Sequence, residues 1–247
     1  MGALSVSGSG VAWLARVMEP SVLNPCTNGL SGGLRLCEFA SKHPDAGGLK
    51  CWVWAIPSRE PGAKVSIKER SHWRTVHHTV VHRLLTETTR LSPHQLVMER
   101  GRYGKPRLVA RPSLSLSMSH SEHYGGLALA EGYEIGFDLE CTSRVDFREV
   151  ARRFFPFEAQ QLERDLAVPK SDHRFLQAWT AKEAYLKALG TGLSKPLASF
   201  RLRLDDHGRA IELLHCTDLG APVGRCSFLA LPADDRYAAT VVSIRTA

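Results

Sequence analysis

Hydrophobic periodicity along this chain switches from two to 3.6 and back, twice over, and that limits the fold more than any other feature. CWVWAIP (51–57) is a short apolar run suited to a buried strand. Over residues 71–90, Trp73, Val76, Val80, Val81, Leu84 and Leu85 recur at helical spacing, with Arg74 and Arg83 off the apolar face. RYGKPRL (102–108) is a loop punctuated by Gly104 and Pro106. Leu114, Leu116 and Met118 then alternate with serine, a half-buried strand ending in Ser119-His120-Ser121. GLALA (126–130) and EIGFDLE (134–140) are two further strands. A helix over about 147–166 meets Pro156, which breaks or kinks it. The clearest helix is 171–189, with Ser171 or Asp172 to cap it and Gly190 and Gly192 to stop it. Strand-like runs at 200–204, 210–214, 226–231 and 237–244 follow, with Asp206-His207-Gly208 as a hairpin turn. The expectation is an α+β fold of two similar subdomains, 51–132 and 133–247.

Residues 1–50 are rich in Gly, Ser, Asn and Pro and lack sustained periodicity. They are expected to form a flexible, poorly ordered N-terminal extension, in which Met18 could be the start of translation. No apolar run approaches the roughly 18 residues of a membrane-spanning helix. The first apolar stretch has no basic residue before it, which makes a poor secretory signal. Six scattered Cys without a C-x-x-C pair point to reduced thiols and a cytoplasmic protein.

Charge is concentrated. The formal net charge is +7, and residues 61–111 hold eleven Lys/Arg against three Glu, so the rest of the chain is close to neutral. Such a field attracts phosphates or an acidic protein surface, although a solvated basic face has the same composition.

Three pieces can carry chemistry. On the strand EIGFDLE, Ile135, Phe137 and Leu139 face one way, and Gly136, Asp138 and Glu140 the other. Two carboxylates on one face suit a hard divalent cation such as Mg²⁺, or simply face solvent. Glu183 and Lys187 lie one helical turn apart, a spacing also common in surface ion pairs. The third piece is Ser119-His120-Ser121, beside the basic segment. His78 and His82 are an i, i+4 pair, but without Glu or Cys at zinc-site spacing they read as a surface cluster.

Taken together, Y-G-K-P, S-x-S-H-S, G-x-D-x-E, F-F-x-x-E, W-T-x-K-E-A-x-x-K and G-x-G-L-S-x-P-L, in that order, resemble the 4′-phosphopantetheinyl transferase family of the Sfp type. The resemblance runs from about residue 71 to 200 and more loosely from 51 to the end. It implies a monomer of two α+β halves related by a pseudo-twofold, with the active site between them. It implies transfer of the phosphopantetheine arm of coenzyme A to a serine of an apo carrier protein, an acidic helical bundle. The reaction would depend on Mg²⁺ and release adenosine 3′,5′-bisphosphate, with no nucleic acid or membrane partner. On this resemblance Asp138, Glu140 and Glu183 are metal ligands, and Lys187 reaches the pyrophosphate. Tyr103, Gly104, Lys105 and Pro106 wall the adenine, Ser119 and His120 contact phosphates, and Arg74 binds the 3′-phosphate. Glu183, or a metal-bound water beside it, is the general base.

Two departures stand out. Segment 58–70 is short and lacks the family's L-S-x-x-E stretch, leaving Lys64, Lys68 or Arg70 as the second phosphate contact. Glu122 follows the S-H-S where a glycine is usual. The competing readings are a metal-dependent phosphoesterase using the same carboxylates, and a catalytically inactive module that binds carrier protein or RNA. The absence of an aromatic-rich strand among the basic residues argues against RNA.

Overall fold

Strand β4 (Lys50–Ala55) carries buried side chains on both faces, and the layering follows from covering both. Trp52 and Trp54 pack against Trp73, Val76, Val80 and Leu84 of helix α1 (Ile67–Thr89). Cys51 and Val53 point the other way, into a cluster shared with Ile135, Phe137 and Leu139. The structure is a computed structural model and describes residues 4–8, 11–18, 35–41, 48–56, 66–142, 147–163, 171–216, 226–231 and 237–245.

α1 begins earlier than its apolar stripe because a capping box precedes it. Ser66 Oγ accepts from the Glu69 N–H at 3.2 Å, and Glu69 Oε2 accepts from the Ser66 N–H at 2.8 Å. The helix lies on a sheet built from β1 (Leu4–Gly8), β2 (Val11–Met18), β3 (Arg35–Ser41), β4, β5 (Met98–Arg100), β6 (Pro106–Leu108), β7 (Leu114–Ser121) and β8 (Tyr124–Glu131). The order is β1-β2-β3-β4-β8-β7-β6-β5, antiparallel throughout.

A second sheet packs its inner face on the first. It orders β12 (Cys226–Ala230), β13 (Tyr237–Arg245) and β9 (Tyr133–Cys141), again antiparallel. Its outer face carries helix α4 (Ser171–Leu189). Beside α4 lie α2 (Phe147–Phe154), α3 (Pro156–Glu163) and the hairpin β10 (Phe200–Leu204)–β11 (Ala210–Cys216). The layers therefore run helix, sheet, sheet, helix. Pro156 divides the expected 147–166 helix into two, and Phe155 between them is buried while Phe154 is exposed.

The extension 1–50 contributes strands where it is described. Residues expected to be loop form three strands at one edge of the large sheet, and β3 pairs with β4. Phe39 enters the inter-sheet core at 3% exposure, which gives this stretch apolar burial that its overall composition concealed. Residues 1–3, 9–10, 19–34 and 42–47, Lys64 among 57–65, and the rest of the chain not named above lie outside the described residues. Among the described residues Cys51 and Cys226 are free thiols. Among the described residues no helix is long and apolar enough to cross a membrane.

Candidate active site

The alternating serines of β7 do not face solvent. β7 and β9 belong to different sheets and share no backbone ladder, so serine hydroxyls bridge them. Ser115 Oγ accepts from the Ile135 N–H at 3.0 Å, Ser117 Oγ from Phe137 at 2.9 Å, and Ser121 Oγ from Cys141 at 3.2 Å. Toward the far end the same row holds carboxylates. Ser119 Oγ donates to Asp138 Oδ1 at 2.9 Å, and Ser121 Oγ donates to Glu140 Oε2 at 2.7 Å.

α4 supplies the other half of the cluster, and Gly136 lets it come close. A Cβ at Gly136 would sit 1.8 Å from the Ala184 carbonyl oxygen, so only glycine allows the helix backbone down onto β9. That contact brings Glu183 and Lys187 to the D-x-E face. Lys187 Nζ donates to Asp138 Oδ1 at 2.7 Å and to Ser119 Oγ at 3.0 Å.

Three carboxylates thus gather around one ammonium. Burial and then the Asp138 charge push Glu140 up to about 7, against the Ser121 hydrogen bond and Lys187. Glu183 is also pushed up to about 7, by burial and then by Asp138, with Lys187 opposing and Glu140 adding to the rise. Asp138 Oδ2 is buried and has no hydrogen-bond partner. A buried carboxylate oxygen of this kind is costly unless something else pairs with it. Among the described residues no three such side chains lie close enough to form a ready metal-ligand group, and Lys187 bonds Asp138 Oδ1. The donor set is nonetheless all hard oxygen, with one oxygen orphaned and two carboxyls pushed up to about 7, mainly by burial. Its chemistry fits a hard divalent cation such as Mg²⁺.

Next to the cluster is a cleft of about 430 Å³, lined by Arg70, Trp73, Arg74, His77, His120 and Glu122. Burial, followed by the charges of Lys187 and Arg74, pushes the His120 pKa down. The cleft is electropositive without help from His120 and suits an anion. Of the three candidates for a second phosphate contact, Arg70 lines it. Arg74 and His120 both line it, while Tyr103–Pro106 are not among its lining residues. Lys105 instead donates from Nζ to Glu134 Oε2 and, at 2.8 Å, to the Ala188 carbonyl near the end of α4. Tyr103 is about half exposed, and its backbone and Cβ lie against Gly192.

Residues 134–242 match the model of the 4′-phosphopantetheinyl transferase superfamily. The chain is 30% identical over 159 residues to the Bacillus subtilis (strain 168) protein "4′-phosphopantetheinyl transferase Sfp", covering 63% of this chain and 69% of that one. The chain belongs to the 4′-phosphopantetheinyl transferase superfamily. A second Bacillus subtilis 4′-phosphopantetheinyl transferase is 33% identical over 149 residues, or 58% of this chain and 65% of the relative. The 4′-phosphopantetheinyl transferase HetI of Nostoc sp. is 35% identical over 109 residues, 42% of this chain and 46% of its own length. The chain spans from under half to about two thirds of the length of such curated relatives.

Sequence reasoning missed two buried devices in this superfamily member. Lys182, next to Glu183, is fully buried and bonds Glu158 Oε1 at 2.9 Å. Its signal was the pairing of F-F-x-x-E with W-T-x-K-E, read only as motif. The other is a Trp54–His77 pair behind the cleft, for which an apolar strand and a His-rich helix gave no pairing signal.

Proposed function

We propose that this protein transfers the 4′-phosphopantetheine arm of coenzyme A to a serine of an apo carrier protein, acting in the cytoplasm and requiring Mg²⁺. The observation that carries the reading is Asp138 Oδ2, buried and without a hydrogen-bond partner on a carboxylate whose charge acts on Glu140 and Glu183, beside a basic cleft. Asp138, Glu140 and Glu183 would hold the metal. When bound, the metal would neutralise charge on the pyrophosphate whose bridging P–O bond breaks.

The protein's own residues would do the rest. Arg70 and Arg74 anchor the 3′-phosphate away from the reacting bond, which positions the donor. Lys187, released from Asp138, places a point charge on the pyrophosphate. The carrier serine oxygen bonds to the β-phosphorus, and the bond to adenosine 3′,5′-bisphosphate breaks. The serine proton leaves to a carboxylate of the cluster, with Glu183 as the candidate base. Ser119 and Ser121 fix the orientation of Asp138 and Glu140 throughout. The basic surface suits an acidic carrier.

The test is mass spectrometry of an apo carrier protein incubated with coenzyme A, Mg²⁺ and this protein. A gain of about 340 Da on the carrier is expected, the mass of the transferred arm. Coenzyme A breakdown without carrier labelling would favour the phosphoesterase reading. Neither labelling nor breakdown, across fatty-acid, polyketide and peptide-synthetase carriers, would leave only the binding-module reading.

A further inference from the structure

Behind the cleft, Trp54 of β4 and His77 of α1 form a buried pair that neither the metal cluster nor the phosphate contacts use. The indole Nε1–H donates to His77 Nδ1 at 2.8 Å. An indole nitrogen can only donate, so Nδ1 must be the unprotonated nitrogen and Nε2 carries the hydrogen. Nε2 lies 3.4 Å from the Glu122 carbonyl oxygen, which makes that carbonyl its acceptor.

Both ends of this arrangement bear on the cleft. Glu122 sits in the β7–β8 turn with φ 51, a left-handed conformation that a glutamate adopts only when its surroundings hold it there. The His77 ring meets the His120 ring edge-on, with centroids 5.5 Å apart. His77, His120 and Glu122 all line the cleft. The pair also has a dedicated space. A Cβ at Gly125 would lie 2.5 Å from His77 Nδ1 and 2.7 Å from the Trp54 ring. Protonation of His77 is strongly disfavoured, its value being lowered to about 4 mainly by burial. Trp54 opposes it too, since a second hydrogen at Nδ1 would face the indole N–H.

We infer that His77, locked in one tautomer by Trp54, is a positioning residue that sets the His120 ring and the Glu122 turn in the geometry the cleft needs to bind a phosphate. This rests on the donor-binding reading of the cleft given above. His77 touches no reacting atom in that reading. Its effect is therefore on donor binding and not on the transfer step.

The experiment uses the full chain with His77→Phe, His77→Gln and Trp54→Phe, each checked for a wild-type melting profile. Ligand-free NMR of the imidazole ring protons reports on His120, and calorimetry with adenosine 3′,5′-bisphosphate reports on the cleft. In His77→Phe the His120 signals should shift or broaden, and bisphosphate affinity should fall about tenfold, as expected for misplaced charge-assisted contacts. The apparent KM for coenzyme A should rise in parallel while kcat stays within about twofold. Glutamine places its amide where Nε2 was and should recover most of the affinity. Trp54→Phe, which frees the tautomer but keeps the ring, should lose less than His77→Phe. Unaltered His120 signals, or unchanged affinity in a folded His77→Phe protein, would overturn the inference. If the wild-type protein fails to bind the bisphosphate, the donor-binding reading fails. The His120 signals then still decide whether His77 places that ring.

Discussion

Helix α4 carries two lysines, Lys182 and Lys187, that face different surroundings. Lys182 has no exposed surface, and every hydrogen of its ammonium has a partner. Glu158 Oε1 lies at 2.9 Å, and the Leu197 and Phe200 carbonyls accept at 2.8 Å each. Glu158 Oε1 also accepts from the Leu202 N–H at 2.7 Å. Burial pulls Lys182 down to about 8, with Glu158 resisting. Its charge is closed, and it ties α4 and α3 to the segment leading into β10. Lys187 is the reverse case, one ammonium facing three carboxylates with a buried oxygen left over. A balanced buried pair holds a structure together, whereas an unbalanced group has a free energy to release to a ligand.

The largest test of that distinction is Asp138→Asn. Transfer should fall on the order of a thousandfold, several kcal/mol of lost charge stabilisation. The melting temperature should stay near wild type, because the change removes a charge from a group with too many. Activity within a few fold of wild type would place the chemistry elsewhere.

Glu158→Gln should do the opposite. It strands the Lys182 charge in the core and should cost about 3–5 kcal/mol in urea unfolding. Replacing both partners with apolar residues, as in Lys182→Met with Glu158→Leu, should restore much of that loss. A cost of less than about 1 kcal/mol for Glu158→Gln would erase the contrast between the two lysines.

The smallest effect is a pH-dependent response to Mg²⁺. Glu140 and Glu183 have folded values near 7, above those of an unfolded carboxylate. Between the ordinary carboxylate range and 7 the folded protein therefore binds more protons than the unfolded chain. Their contribution is fully present at low pH and is lost as pH rises through about 7. Added Mg²⁺ must displace those protons, so it should raise thermal stability more at pH 8 than at pH 6. At a concentration of a hundred times its Kd the gain at pH 8 should be about 2.7 kcal/mol. A gain that is equal at both pH values, or larger at pH 6, would show that the metal does not meet these two carboxyls.

Much of this was legible in the chain. Period-two and period-3.6 runs placed β4, α1, β7, β8, β9 and α4 because each has an apolar face that the core reads directly. The carboxylates and Lys187 were legible as a motif, and Arg74 with His120 as a basic site. What escaped is what depends on a distant partner. Lys182 looks like a surface lysine until Glu158 is brought to it. His77 was one of four histidines on a helix, and only the indole from β4 distinguishes it. Strand β3 was hidden in a Gly- and Ser-rich stretch because its order comes from the β4 edge rather than from its own composition.

The serine row on β7 has a consequence for register. Between most neighbouring strands, register is enforced by apolar side chains meeting the core. Here hydroxyls at 115, 117, 119 and 121 work as a vernier, repeating every second residue along a matching scale of amides and carboxylates. A slip by one division would still satisfy amides, but it would take Ser121 off Glu140 and Ser119 off Asp138. Only the acidic end of the scale distinguishes one setting from the next. The carboxylates of the candidate site thus also tell the two sheets where to stop.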